Sequence, residues 1–165
     1  MKVVCNTSPL IFLNSISKLD LLEKLYSEIF IPQSVYQEIE EKGYIDDIIK
    51  NIDYKLRIGK YKIYEVKNRI AVKSMIGKLH EGEIEVIISC IELRADFAIL
   101  DDLLARNKAQ SMGINSIGTL GVLLKGFKEG YVDDVESLLD KLVSQGFWIS
   151  EKIYGQILTL INKKQ

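Results

Sequence analysis

Met1-Lys-Val-Val-Cys-Asn6-Thr7-Ser8-Pro9-Leu10-Ile11 opens the chain, and its reading decides the fold. Val3-Val4-Cys5 is a short apolar run of the kind buried in a sheet. It stops abruptly at Asn-Thr-Ser-Pro, and an apolar, helix-like segment follows. Ser8 suits a helix N-cap, and Pro9 suits the first helical position, where no amide hydrogen is needed. Asn6 and Thr7 then fall at the carboxyl end of the first strand, the edge where open α/β sheets bind ligands.

Working outward, the pattern alternates. Residues 10–14 and 18–26 read as short helices, and Ile29-Phe30-Ile31 as a second strand. Pro32 starts a helix to Glu41 that Gly43 closes. Apolar positions at Ile45, Ile48, Ile49, Ile52 and Leu56 predict a helix over 46–58, and Lys62 to Val66 alternates weakly like a strand. Residues 68–78 have helical character. A strong helix follows over Glu81–Leu93, then a buried strand, Phe97 to Leu100. A helix from about Asp102 to Met112 stops at Gly113, before a strand at Ile114–Ile117 and a helix from Gly118-Thr119 to about Lys128. Helices at about 133–145 and 150–162 close the chain. Strands separated by helices predict an α/β fold, with a central parallel sheet and helices on both faces. At 165 residues the chain fits a single domain over 1–165, with about 131–165 as a C-terminal helical extension.

With 47% hydrophobic and 27% charged residues, the composition is that of a folded domain. No apolar run reaches the length of a membrane span, and no secretory signal follows the start. A cytoplasmic location without membrane contact is expected. Cys5 and Cys90 lack metal-site spacing and read as small buried core residues. A single histidine, His80, excludes His-rich metal sites, and no Ser or Cys stands out as its nucleophile. The first strand does not lead into a Gly-rich turn, which disfavours a dinucleotide or P-loop fold. The net charge of −1 hides an asymmetry. Residues 50–80 hold nine cations against Asp53 and Glu65, a charge of +7, which leaves −8 elsewhere. This suits a lobe facing a polyanion beside an acidic site, although a solvated helical surface has the same signature.

The acids carry the chemistry. On the 81–93 helix, Glu81, Glu85, Ser89 and Glu92 share a polar face, opposite Val86, Ile87, Cys90, Ile91 and Leu93. Glu83 falls in the middle of the apolar side, where an ionised carboxylate is costly unless it is paired or coordinates a metal. Its place in the first turn lowers that cost. Asp101 and Asp102 follow a buried strand and reach the same sheet edge as Asn6, where one of them also suits a helix cap. Glu38 borders the apolar face of Val35, Tyr36 and Ile39, and Thr119 reaches the same edge or serves as an N-cap. Several acids at one edge, without a His or thiolate cluster, favour a hard cation such as Mg²⁺ or Mn²⁺. Such ions activate water and neutralise charge in phosphoryl transfer. With the basic segment, this points to hydrolysis of nucleic-acid phosphodiesters.

Asn6-Thr7-Ser8-Pro9-Leu10-Ile11, Ile31-Pro32 with Val35-Tyr36-Gln37-Glu38, Gly82-Glu83, Leu100-Asp101-Asp102 with Arg106, and Gly118-Thr119-Leu120-Gly121 together resemble the PIN domain. They are most similar to its branch catalogued as DUF3368, and the resemblance extends through Gly146-Phe147 to the last helix. It implies a three-layer α/β/α fold and a VapC-like, Mg²⁺- or Mn²⁺-dependent ribonuclease, often dimeric and often the toxin of a toxin–antitoxin pair. Carried over by motif, Glu38, Glu83 and Asp101 match the family's acids, with Asp102 a further acid and Thr7, Ser8 and Thr119 supporting groups. Asn6 stands where PIN nucleases generally have Asp. It keeps a carbonyl ligand but loses a charge and an acceptor oxygen. The leading expectation is an endoribonuclease with Asn6, Glu38, Glu83 and Asp101 at its centre. Lys55, Arg57, Lys60, Lys62, Lys67, Arg69, Lys73 and Arg106 would then track RNA. The alternatives are a catalytically weak or inactive module that binds RNA or a protein, and a small-phosphate hydrolase.

Overall fold

The computed structural model describes residues 1–41 and 46–162. β1 (Lys2–Cys5) is the central strand of a five-stranded sheet. β2 (Glu28–Pro32) and then β3 (Tyr61–Tyr64) lie to one side of it, β4 (Phe97–Ile99) and then β5 (Ser116–Ile117) to the other. Every pairing is parallel. The chain winds outward from β1 in one direction and then returns to fill the other. That reversal at β1 and β4 is where such a sheet opens a crevice at its carboxyl edge.

Among the described residues ten helices surround the sheet: α1 (Thr7–Ser15), α2 (Leu21–Leu25), α3 (Gln33–Glu41), α4 (Asp46–Arg57), α5 (Arg69–Met75), α6 (Glu81–Leu93), α7 (Leu103–Ser111), α8 (Thr119–Lys128), α9 (Val135–Ser144) and α10 (Glu151–Asn162). α6 lies along β1, β2 and β4 with α5 and α7 beside it, while α1, α2, α8 and α9 pack together as the other layer. α3 touches both α1 and α6 and so bridges the layers at the carboxyl edge. Val3, Val4, Cys5 and Ile31 are fully buried. Strands covered on both faces need continuous apolar runs instead of alternating ones. Burial also pushes the Cys90 thiol up to about 12 and raises that of Cys5 further, so both are inert core residues. Leu139, Leu142, Ile157 and Ile161 of the closing helices join the same apolar cluster as β1.

Several boundaries differ from the sequence reading, each for a physical reason. Asn6, not Ser8, is the N-cap of α1, and Pro9 is its third residue. The amide of Asn6 still pairs with Ile99 in the neighbouring strand, at 3.0 Å, so the chain leaves the sheet two residues early. Pro32 ends β2 instead of opening α3. Gly118, not Thr119, caps α8. On α6, Ile91 is 47% exposed, whereas Glu85 and Ser89 of the polar face are buried. That face packs against α3 and α5. Gly43 and Ile45 lie outside the described residues. No helix among the described residues is long and apolar enough to cross a membrane.

Candidate active site

The first strand delivers Asn6 to the carboxyl edge with its backbone amide paired to Ile99 and its side-chain oxygen not paired. Its Oδ1 is buried and has no hydrogen-bond partner among the described residues. Thr7, in the next position, donates its hydroxyl to the carboxylate of Glu38 on α3. Across from them runs the first turn of α6. A Cβ placed on Gly82 would stand 3.5 Å from Asn6 Oδ1 and 3.5 Å from Glu38 Oε2. Both oxygens therefore border the space that a Cβ would occupy, which glycine leaves open.

Glu83 adjoins that spot. It is 9% exposed, and its Oε2 accepts the His80 amide at 2.9 Å, which ties down the helix start. Burial raises its pKa above the usual carboxylate range. The His80 bond offsets part of this, and the negative charges of Asp102 and Glu38 raise it further. Glu83 thus feels the charge of both other acids. Asp102 is exposed and accepts from the Ala105 amide at 2.8 Å as the cap of α7. Asp101 leaves β4 next to it and is held by Thr119 through both the amide and the hydroxyl, at 2.7 Å each. Burial raises its pKa too, against those two bonds and the charge of Arg106.

A cleft of about 590 Å³ opens over these groups, lined by Asn6, Thr7, Ser8, Glu38, His80 and Glu83 together with Ser34, Gln37 and Glu81. The structure therefore brings Asn6, Glu38 and Glu83 into one wall system, with Thr7 and Ser8 at its floor. Half-buried Asp101 and buried Thr119 form a pair beside it and do not line the cleft. Among the described residues no three His, Cys, Asp or Glu side chains converge tightly enough to grasp an ion unaided. Burial raises the Glu83 pKa most, and the negative charges of Asp102 and Glu38 add to it. The donor chemistry nonetheless fits a hard divalent ion. The convergent groups are oxygens, and one of them, Asn6 Oδ1, is buried without a partner.

The basic segment divides. Lys55 pairs with Glu23 and Lys62 with Glu28, beside or on the first residue of β2. Arg57 and Lys60 immediately precede β3. These four lie at the amino edge of the sheet, opposite the cleft. Arg69 is bound to Glu81 and Glu85, so its charge is already neutralised. Lys67 and Lys73 are exposed, and Arg106 is half-buried next to Gly118 and Asp101. Sequence reasoning gave no site role to Gly82 or Ser34, and none to His80 as a cleft-lining group. The position of His80 directly before the acidic helix start was the available signal.

The raised carboxyls set a pH dependence. A carboxylic acid whose folded pKa exceeds its unfolded value binds more protons when folded. Its contribution is complete below the unfolded pKa and is lost as pH rises through the folded one. Glu83 and Asp101 belong to this class. Glu92 is the reverse: burial pushes it up, but the Lys67 and Asn68 amides and the Tyr64 hydroxyl leave it lowered. Its contribution is lost as pH falls. Comparing melting curves of wild type and Glu83→Gln from about pH 4 to pH 8 isolates the first effect. The variant should gain on the wild type as pH rises. Parallel curves would contradict the burial-driven shift.

A protein to which the chain is similar in structure is a PilT N-terminus domain protein from the hyperthermophilic archaeon Sulfolobus solfataricus P2. It shows a TM-score of 0.56 at 21% identity, covering 76% of this chain and 92% of that one. This likeness speaks to the fold alone. No curated protein matches the chain. The family model described as PIN domain, DUF3368, matches residues 2–163. A match over nearly the full length accounts for the parallel sheet and its ordering about β1, and the chain belongs to the PIN domain family.

Proposed function

We propose that the cleft is the active site of a metal-dependent endoribonuclease of PIN type. The PIN domain is a nuclease-type fold. The observation that carries the finer reading is the buried, partnerless Asn6 Oδ1 aimed, with Glu38 Oε2, at the space left by Gly82. An unpaired buried carbonyl costs about 1–3 kcal/mol, a cost that a bound cation removes. Asn6, Glu38 and Glu83 would hold Mg²⁺ or Mn²⁺, with Asp101 and Asp102 adding negative charge from the adjoining turn. When bound, the ion supplies an activated water and neutralises charge on the phosphate. The chain's own residues do the rest. Thr7 fixes the rotamer of Glu38. Glu83, buried in the first turn of α6, would bring its negative charge to the ion. Gln37 and His80 line the cleft where the RNA backbone would lie, and the exposed Lys67 and Lys73 would track it, so binding should weaken with salt. A role as the toxin of a toxin–antitoxin pair, with antitoxin and homodimer partners, extends this reading on family grounds.

Two observations favour a second reading, an RNA- or protein-binding module with little or no activity. Asn6 lacks the charge of an aspartate, and both oxygens of Asp101 are engaged by Thr119. Mn²⁺ titration by calorimetry, run on wild type and Asn6→Asp beside a single-stranded RNA cleavage assay, separates the two. The nuclease reading expects measurable wild-type binding and turnover, and a gain in affinity on Asn6→Asp of about tenfold, ~1.4 kcal/mol. Binding and cleavage confined to the Asp variant would establish the second reading.

A further inference from the structure

Glu85 takes no part in the cleft lining, yet it is 3% exposed on α6, two residues beyond Glu83. Its Oε2 accepts from the Ser34 hydroxyl at 2.6 Å and from the Ser34 amide at 3.3 Å. Its Oε1 is ion-paired with Arg69 of α5, whose other terminal nitrogen reaches Glu81 at 2.6 Å. Ser34 is the second residue of α3, where backbone amides have no partner within their own helix. Glu38 follows one turn later on the same side of that helix. We propose that Glu85 is a positioning residue: by bonding Ser34 and Arg69 it fixes α3 against α6 and so sets the separation of Glu38 and Glu83.

The physical case rests on burial. A carboxylate withdrawn from water is tolerated only when its acceptor sites are filled, and here they are filled by two different helices. Glu85 itself is 3% exposed, so its oxygens are held by these two partners and form a bracket between α3, α5 and α6. Val35 and Ile39 on α3 are fully buried and hold that helix to the core independently. Loss of the bracket should therefore shift α3 without unfolding it. Ser34, Gln37 and Glu38 all line the cleft, so a shift of α3 moves one whole wall.

The metal-binding half of this inference rests on the function proposed above, and its test is arranged to keep the two apart. Mn²⁺ affinity is measured by calorimetry on wild type, Glu85→Gln and Glu85→Ala, well below the melting point of each. Hydrogen exchange is followed in parallel at the amides of α3 and α6. Groups that orient a ligand from behind typically control metal affinity by about 10–100-fold, and that loss is expected for Glu85→Ala. Glu85→Gln, which keeps an acceptor for Ser34, should lose less and serves alone if the alanine variant does not fold. Folded variants with wild-type Mn²⁺ affinity would overturn the proposal. If the wild type itself binds no Mn²⁺, the nuclease reading fails instead, and exchange decides. Faster exchange at the start of α3 with α6 unchanged supports the bracket, and unaltered exchange overturns it.

Discussion

Glu83→Gln should reduce metal-dependent RNA cleavage by about 100-fold or more, within the range assigned to a proton-transferring or charge-bearing group, while leaving the protein as stable as before. The two halves of this expectation come from one geometry. Glutamine has the shape of glutamate and still accepts the His80 amide, which preserves the tie at the start of α6. What it removes is a charge held in a buried place beside Glu38 and Asp102. Without a cation present that charge is unfavourable, so the metal-free variant should melt at or above the wild-type temperature near neutral pH. In the proposed metal-bound state the same charge would face the cation. A variant that cleaves RNA at the wild-type rate with the same metal requirement would remove Glu83 from the site. A variant that loses activity only in proportion to lost stability would make it a mere helix cap.

This pairing of effects distinguishes a functional acid from a structural one, and Glu92 supplies the contrast on the same helix. It accepts from two backbone amides and a tyrosine hydroxyl and its pKa is lowered. Its ionised form is thus satisfied by the protein alone. Glu83 is raised by burial, against the bond from the His80 amide, and is not. Acids left unsatisfied at a sheet edge in a nuclease-type fold are where an external cation has most to contribute.

The placement of Glu83 was legible in the sequence because α6 is long and periodic. A thirteen-residue apolar pattern fixes which positions turn inward, and an acid among them stands out. The order of strands and helices was legible for the same reason, since period and punctuation are local. What was not legible depends on neighbours distant in the chain. Glu85 and Ser89 share the polar side of the wheel, but α3 and α5 cover that side and bury both. The summed charge of residues 50–80 is a property of composition. Only the direction of β3 shows that Lys55, Arg57, Lys60 and Lys62 face away from the cleft. At Asn6 a local capping preference for Ser8 lost to the strand ladder, which carries the backbone past the last strand residue and turns it at the ligand edge. The link from Asp101 to Thr119 joins the turn after β4 to the first residue of α8, eighteen residues on, and leaves no mark in either motif alone.

That link sets the second large effect. Gly118→Ala should cost about 1–3 kcal/mol, the usual range for forcing an extra methyl into a packed site, and should also disable Asp101. The backbone at Gly118 lies at φ −97°, which any residue adopts, so the cost is steric and not conformational. The new methyl carbon would lie 2.9 Å from Asp101 Oδ1 and 3.3 Å from the Leu100 carbonyl oxygen. The carbonyl belongs to a strand end and cannot yield, because the Leu100 amide is bonded to Ile117. The carboxylate must move, and in moving it gives up the amide and hydroxyl of Thr119. A half-buried acid that loses its donors becomes harder to ionise, so cleavage should fall and its pH profile should shift towards higher pH. Thr119→Val provides the control. It removes the hydroxyl bond alone and should cost about 1 kcal/mol, with a smaller displacement of the same profile. Equal melting temperatures and superimposable profiles for wild type and Gly118→Ala would mean that Asp101 swings aside freely and that its hold on Thr119 plays no part in the site.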